Sequence, residues 1–132
     1  GYYREATRVQ GVSGENLLRL LESRLDSVIF RLGFAPSRKA ARQLVRHNHF
    51  IVNGRRVNIP SFLTRPGDEI KVAEKSKQLE VIHESLRRSR ELVPWLSVDK
   101  VNLQGGVVDR PNREDIPVLA EEQLVIEFYS RV

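Results

Sequence analysis

The chain has no cysteine, no methionine, a single tryptophan, and no apolar run of the roughly 18 residues that a membrane span requires. Without cysteine there is neither a disulfide framework nor a thiolate metal site, and a reducing, cytoplasmic setting is the expectation. Nothing at the N-terminus has the pattern of a signal peptide. The sequence opens at Gly1 in residues that already suit a helix, so it is expected to be part of a longer protein. Its 132 residues and 40% apolar content allow one ordinary domain or two small ones with a real core.

The most informative absence is local. Between Ser27 and Gly67 there is no Asp or Glu, although the chain holds 17 of them. The same segment holds eight of the 22 basic residues: Arg31, Arg38, Lys39, Arg42, Arg46, Arg55, Arg56 and Arg65. Outside it, acids outnumber bases, so the formal net charge of +5 originates here. A local field of this kind calls for an anionic partner, and nucleic acid is the commonest.

In chain order, residues 1–10 read as a short helix stopped by Gly11. Ser13 is expected to cap one helix running to Gly33, with Leu17, Leu21, Leu25, Val28 and Leu32 as its apolar stripe. Arg24 and Arg31 would project together from it, two turns apart. After Gly-Phe-Ala-Pro, Ser37 is a good N-cap for a helix from Arg38 to His47. On a helical wheel Ala40, Ala41, Leu44 and Val45 share one arc, and Arg38, Lys39, Arg42 and Arg46 share another. A merely solvated helix usually mixes both signs on its polar face; this one repels itself.

Phe50–Val52 is β-prone, and Asn53-Gly54 is a strong signal for a type I′ hairpin, which requires positive φ at both positions. Arg55 to Val57 begins the return strand, and turns follow at 58–61 and 65–68. Residues 69–73 alternate as a half-buried strand should. Residues 74–91 read as a helix of mixed charge, stopped by Pro94. Residues 95–98 and 107–108 read as strands, with Gln104-Gly105-Gly106 a loop or hairpin turn between them and 110–115 a polar connection. Periodicity leaves residues 121–129 open between helix and strand.

Catalytic signatures are missing. No Walker loop, dinucleotide glycine pattern or nucleophile elbow occurs, and the carboxylate pairs lie in polar segments that do not suggest burial. No enzyme activity and no cofactor are expected. His47-Asn48-His49, with only His83 elsewhere, supplies too few ligands for a closed zinc site.

The stretch S-R-K-A-A-R-Q-L-V-R-H-N-H-F-I-V-N-G-R-R-V-N-I-P-S, followed by R-P-G-D-E-I, resembles the RNA-binding module named after ribosomal protein S-four. The flanks G-E-N-L-L-R-L-L-E-S-R-L-D-S-V-I-F-R-L-G-F, E-K-S-K-Q-L, P-W-L and L-V-I-E-F-Y-S-R extend the likeness to the bacterial-type small-subunit ribosomal protein S-four family. That resemblance implies an α+β fold in two lobes. Residues 1–24 with 111–132 would form a helical lobe, making Glu121 to Ser130 a helix, and residues 25–110 would place helices on a small antiparallel sheet. It further implies binding of small-subunit ribosomal RNA at a multi-helix junction in the 5′ domain and nucleation of subunit assembly. Contact with ribosomal protein S-five and other small-subunit proteins, an influence on translational accuracy and a place near the mRNA entry path are implied as well.

Recognition of folded RNA by shape and phosphate is the mechanism expected, because the A-form major groove excludes side chains. Arg38, Lys39, Arg42 and Arg46 are expected to face phosphates, and Asn53, Arg55 and Arg56 to reach an adjoining backbone from the hairpin tip. Arg31, His47, His49 and Arg65 rank second, and Arg4, Arg8 and Arg24 would extend the surface. Leu44, Val45, Phe50, Ile51, Val52 and Ile70 are the expected core behind it. The competing readings are an RNA-modifying enzyme such as a pseudouridine synthase, and an RNA chaperone or tRNA-binding heat-shock factor, each carrying the same module.

Overall fold

A computed structural model of the chain describes residues 14–88 and 92–116. The helices expected at 1–10 and 121–130, and their meeting, lie outside the described residues, as do Arg4 and Arg8. The expected single helix from Ser13 to Gly33 is two helices, α1 (Gly14–Ser23) and α2 (Leu25–Leu32), parted by an extended Arg24 at φ −64° and ψ 145°. The reason is tertiary. A loop that follows the hairpin pairs with the chain here, so that Leu25 N–H donates to the Phe62 carbonyl at 2.7 Å and Asp26 N–H to Pro60 at 3.2 Å. Thr64 N–H donates in turn to Ser23 at 2.7 Å, and Arg24 bridges Leu63. These bonds satisfy first-turn donors of α2 that a continuous helix would have satisfied internally.

Gly33 ends α2 in the left-handed region at φ +93°, with Gly33 N–H on Phe30 and Phe34 N–H on Ile29. Ser37 then caps α3 (Arg38–Arg46), its hydroxyl accepting the Ala40 N–H at 3.0 Å. Strands β1 (Phe50–Val52) and β2 (Arg55–Arg56) pair antiparallel around Asn53 (φ +50°) and Gly54 (φ +82°), the geometry that Asn-Gly suits. Strand β3 (Glu69–Val72) pairs with β1, burying Ile70 and Val72 and exposing Glu69 and Lys71.

The helix expected over 74–91 is shorter, being a 3-10 turn at Glu74–Ser76 followed by α4 (Glu80–Arg87), with Leu79 extended between them. Strands β4 (Leu96–Asp99) and β5 (Gln104–Val107) complete a five-stranded antiparallel sheet in the order β2-β1-β3-β5-β4. The glycines expected to turn are therefore strand residues. The turn is instead made by residues 100–103, where the Asp99 carboxylate accepts the Val101 and Asn102 N–H groups and the Asn102 amide. Those bonds favour the charged form and hold Asp99 below its ordinary pKa. Gly105 is required by close approach, since a Cβ there would lie 2.7 Å from Leu32 Cδ2 and 2.9 Å from the Ser97 carbonyl.

One apolar cluster joins α1 through Leu18, α2 through Leu25, Val28, Ile29 and Leu32, and the sheet through Phe50, Val52, Ile70, Val72 and Val107. Of the expected core, Leu44, Val45, Phe50, Val52 and Ile70 are buried and Ile51 is half-buried. The rings of Phe34 and Phe50 stack at 6.2 Å, fixing the link before α3 against β1. The described residues thus form an α+β unit in which α3 and the hairpin are carried on a buried support.

Candidate nucleic-acid interface

Helix α3 divides as its sequence directs. Ala41, Leu44 and Val45 are buried, whereas Lys39, Arg42, Arg46 and the following His47 are exposed. The fourth basic residue of the arc behaves differently. The Arg38 side chain is 13% exposed, and its guanidinium donates to the Glu22 carboxylate and the Ser27 hydroxyl. Arg31, 7% exposed, pairs with the same carboxylate, Nε to Oε1 at 2.8 Å and Nη2 to Oε2 at 3.3 Å. Both guanidinium groups lie over the Phe30 ring, at 5.3 and 5.4 Å from its centroid. Neither Arg31 nor Arg38 therefore stands on the open surface with Lys39.

A second acid repeats the arrangement four residues later, at the start of α2. Asp26, whose side chain is 4% exposed, accepts a bidentate pair from Arg24 at 3.0 and 3.1 Å and lies 3.6 Å from Arg42 Nε. The basic segment thus has its counter-charges, supplied by Glu22 and Asp26 from just outside it. The sequence signal was available: two acids four residues apart, beside a leucine stripe and immediately before the acid-free segment. Burial of an acid between guanidinium groups keeps the desolvated charges compensated, and removing one member would leave the others exposed to a low dielectric.

The hairpin meets α3 at the helix's C-terminal end. Arg56 Nη1 donates to the carbonyl of Asn48, two residues beyond α3, at 3.2 Å, and Arg55 and Arg56 are both exposed. His49 turns inward, its Nδ1 2.7 Å from the Ser76 hydroxyl and its ring edge-on to His47 at 6.2 Å. Burial chiefly, with help from His47 and Arg56, lowers its pKa. Asn53 sits at the hairpin tip with its amide bonded to Asp68 of the turn before β3 and to Glu69, the first residue of that strand, and Arg65 is exposed at the start of the turn. The exposed members of the expected set are consequently Lys39, Arg42, Arg46, His47, Asn53, Arg55, Arg56 and Arg65, while Arg31, Arg38 and His49 are held within the fold. Among the described residues no group of three His, Asp or Glu side chains is arranged to hold a metal ion.

The S4 domain family matches residues 23–70, from the end of α1 through α2, α3 and the hairpin into β3. The likeness continues beyond it. The small ribosomal subunit protein uS4 of Thermus thermophilus is 56% identical over 131 residues, 98% of this chain and 63% of that protein. The chain is thus similar to uS4 proteins over nearly its whole length. Relatives of the same name from Syntrophobacter fumaroxidans and Thermodesulfovibrio yellowstonii are 52% and 51% identical over 132 residues, each covering 98% of this chain and 64% of the relative. The chain spans a little less than two thirds of the length of these uS4 proteins. Its S4 domain is the part that carries α3 and the hairpin, so the exposed cations lie within the matched residues.

Proposed function

We propose that the chain is a structural, non-enzymatic component of the small ribosomal subunit that binds small-subunit ribosomal RNA through α3 and the β1–β2 hairpin. The observation that carries this reading is the row Lys39, Arg42 and Arg46, exposed on one helix within an S4 domain and followed by Arg55 and Arg56 on a hairpin tied to the helix end. Exposed guanidinium groups pair with phosphate oxygens by their planar fork, and Lys39 adds a point charge. Rigidity supports the same reading: Arg38 and Arg31 anchor α3 to α1 and α2 through Glu22, so the exposed cations are presented in a fixed array rather than on a mobile arm.

The RNA is a folded multi-helix junction in the 5′ domain, recognised by the spacing of its phosphates more than by its base edges. Early binding there nucleates subunit assembly. The resemblance to uS4 proteins supports, as parts of the same reading, contacts with ribosomal protein S-five, an effect on accuracy, a position near the mRNA entry path, and the division into a helical lobe (1–24 with 111–132) and an RNA-binding lobe (25–110). A non-ribosomal carrier of the module, an RNA chaperone or pseudouridine synthase, is the weaker reading, because the likeness to uS4 proteins covers 98% of the chain and not only the module.

Sedimentation of cell extract tests the proposal. The protein should travel with mature small subunits at one copy each, and recovery only in ribosome-free fractions would overturn it.

A further inference from the structure

Asn53 and Asp68 form the centre of a hydrogen-bonded clamp that joins two loops distant in sequence. Asn53 Nδ2 donates to Asp68 Oδ1 at 2.9 Å, and Asn53 Oδ1 accepts the Glu69 N–H at 2.8 Å. The Asn53 N–H donates to the Glu69 carbonyl at 2.9 Å. The second carboxylate oxygen of Asp68 accepts the Arg65 N–H at 2.9 Å, and Asp68 N–H returns to the Arg65 carbonyl at 3.0 Å. The loop is anchored in the sheet as well, since Gly67 N–H donates to Val107 and Val107 N–H to Asp68.

The clamp ties together the two backbone segments that carry the exposed Arg55 and Arg65. Arg55 is two residues after Asn53, and Arg65 is three residues before Asp68. An acid beside two cations would ordinarily weaken an anion site. Here each carboxylate oxygen accepts a bond from within the fold, and the backbone that carries Arg65 hangs from one of them.

We propose that Asn53 and Asp68 are positioning residues, holding Arg55 and Arg65 as one two-arginine grip on a single stretch of RNA backbone. Asn53 then serves the interface through Asp68 and not by touching RNA itself. The inference rests on the RNA-binding reading of α3 and the hairpin. It makes a prediction of opposite sign to simple electrostatics. Asp68→Asn removes a negative charge without changing shape, so charge alone would tighten RNA binding. The amide, however, has one oxygen for two donors, and the clamp loses a bond.

The test is binding of the full chain to a 5′-domain transcript of small-subunit ribosomal RNA over a salt series, with nucleotide footprinting. Asp68→Asn and Asn53→Gly, the latter tolerating the positive φ at 53, are compared with Arg55→Gln/Arg65→Gln and with Lys39→Gln/Arg42→Gln/Arg46→Gln. Each clamp variant should bind about tenfold more weakly, the loss of roughly one charge-assisted hydrogen bond. Protections should disappear at the nucleotides that Arg55→Gln/Arg65→Gln also uncovers and persist at those belonging to α3. Binding of Asp68→Asn as tight as wild type or tighter, with an unchanged circular dichroism spectrum, would overturn the proposal. Loss of protection everywhere with a lowered melting temperature would overturn it too, by assigning the pair to stability alone. Should Asp68→Asn not fold, Asn53→Gly decides by the same criteria. Failure of the α3 triple variant to weaken binding would instead overturn the RNA-binding reading itself.

Discussion

Glu22 of α1 and Arg31 of α2 close a two-point ion pair at 2.8 and 3.3 Å across the break between their helices, with the carboxylate fully buried. The same carboxylate receives Arg38 of α3, so one acid fastens three helices. Such a group is hard to remove, because its departure takes a buried counter-charge from two desolvated guanidinium groups.

Glu22→Gln should therefore destabilise the protein by about 3–5 kcal/mol, the range for breaking a buried pair by deleting one partner. Urea denaturation followed by circular dichroism measures it. A loss below about 1 kcal/mol, the size of an exposed pair, would show that the cluster is solvated.

Arg42→Gln/Arg46→Gln removes two exposed cations, and because Asp26 keeps its bidentate Arg24 when the 3.6 Å contact to Arg42 is lost, the cost in stability should stay below about 1 kcal/mol. On the proposed function its effect should fall on RNA binding, with the slope of log affinity against log salt reduced by about 0.7–0.9 for each phosphate that is no longer neutralised. Arg38→Gln should do the reverse, lowering stability with a smaller change in slope, since its guanidinium is committed to Glu22 and Ser27. Equal slopes for wild type and the double variant would remove α3 from the interface.

Gly105→Ala forces a methyl group to within 2.7 Å of Leu32 and 2.9 Å of the Ser97 carbonyl, and should cost about 1–3 kcal/mol as overpacking. Gly106→Ala, whose Cβ would meet the Ser97 hydroxyl at 3.2 Å, should cost distinctly less. Paired thermal melts check the order of the two.

The His49 pKa lies below its ordinary value of 6.5 in the folded protein, first because the ring is partly buried. The unfolded chain then binds the proton more readily than the folded one. Its contribution to stability is complete above 6.5 and is lost as pH falls through the folded value. Melting temperatures measured from about pH 7.5 down to about pH 5 should decline more steeply for wild type than for His49→Gln. Parallel profiles would contradict the assignment.

Local chemistry made much of this molecule legible in its sequence. Ser37 before a basic run specified a capped helix, Asn53-Gly54 a tight hairpin, and alternation from Glu69 to Val72 a half-buried strand, because capping, positive φ and strand period all act within a few residues. The sorting of α3 into a buried arc and an exposed basic arc followed from helical geometry alone, for Ala41, Leu44, Val45, Lys39, Arg42 and Arg46. Tertiary structure decided the rest. Helix α1 stops at Ser23 because a loop some 40 residues later supplies partners to the next turn, a distance that periodicity cannot see. Gly105 and Gly106 are strand residues because Leu32 packs against one of them, although glycine pairs ordinarily signal a turn. The same holds for charge. The sequence alone determined that residues 27–67 carry a one-signed field, whereas only the packing of α1 and α2 against α3 decided which cations stay outside. Glu22 draws Arg31 and Arg38 inward, since a buried carboxylate takes its partners from whatever guanidinium groups the fold brings within reach, and Lys39, Arg42 and Arg46 remain to meet the solvent.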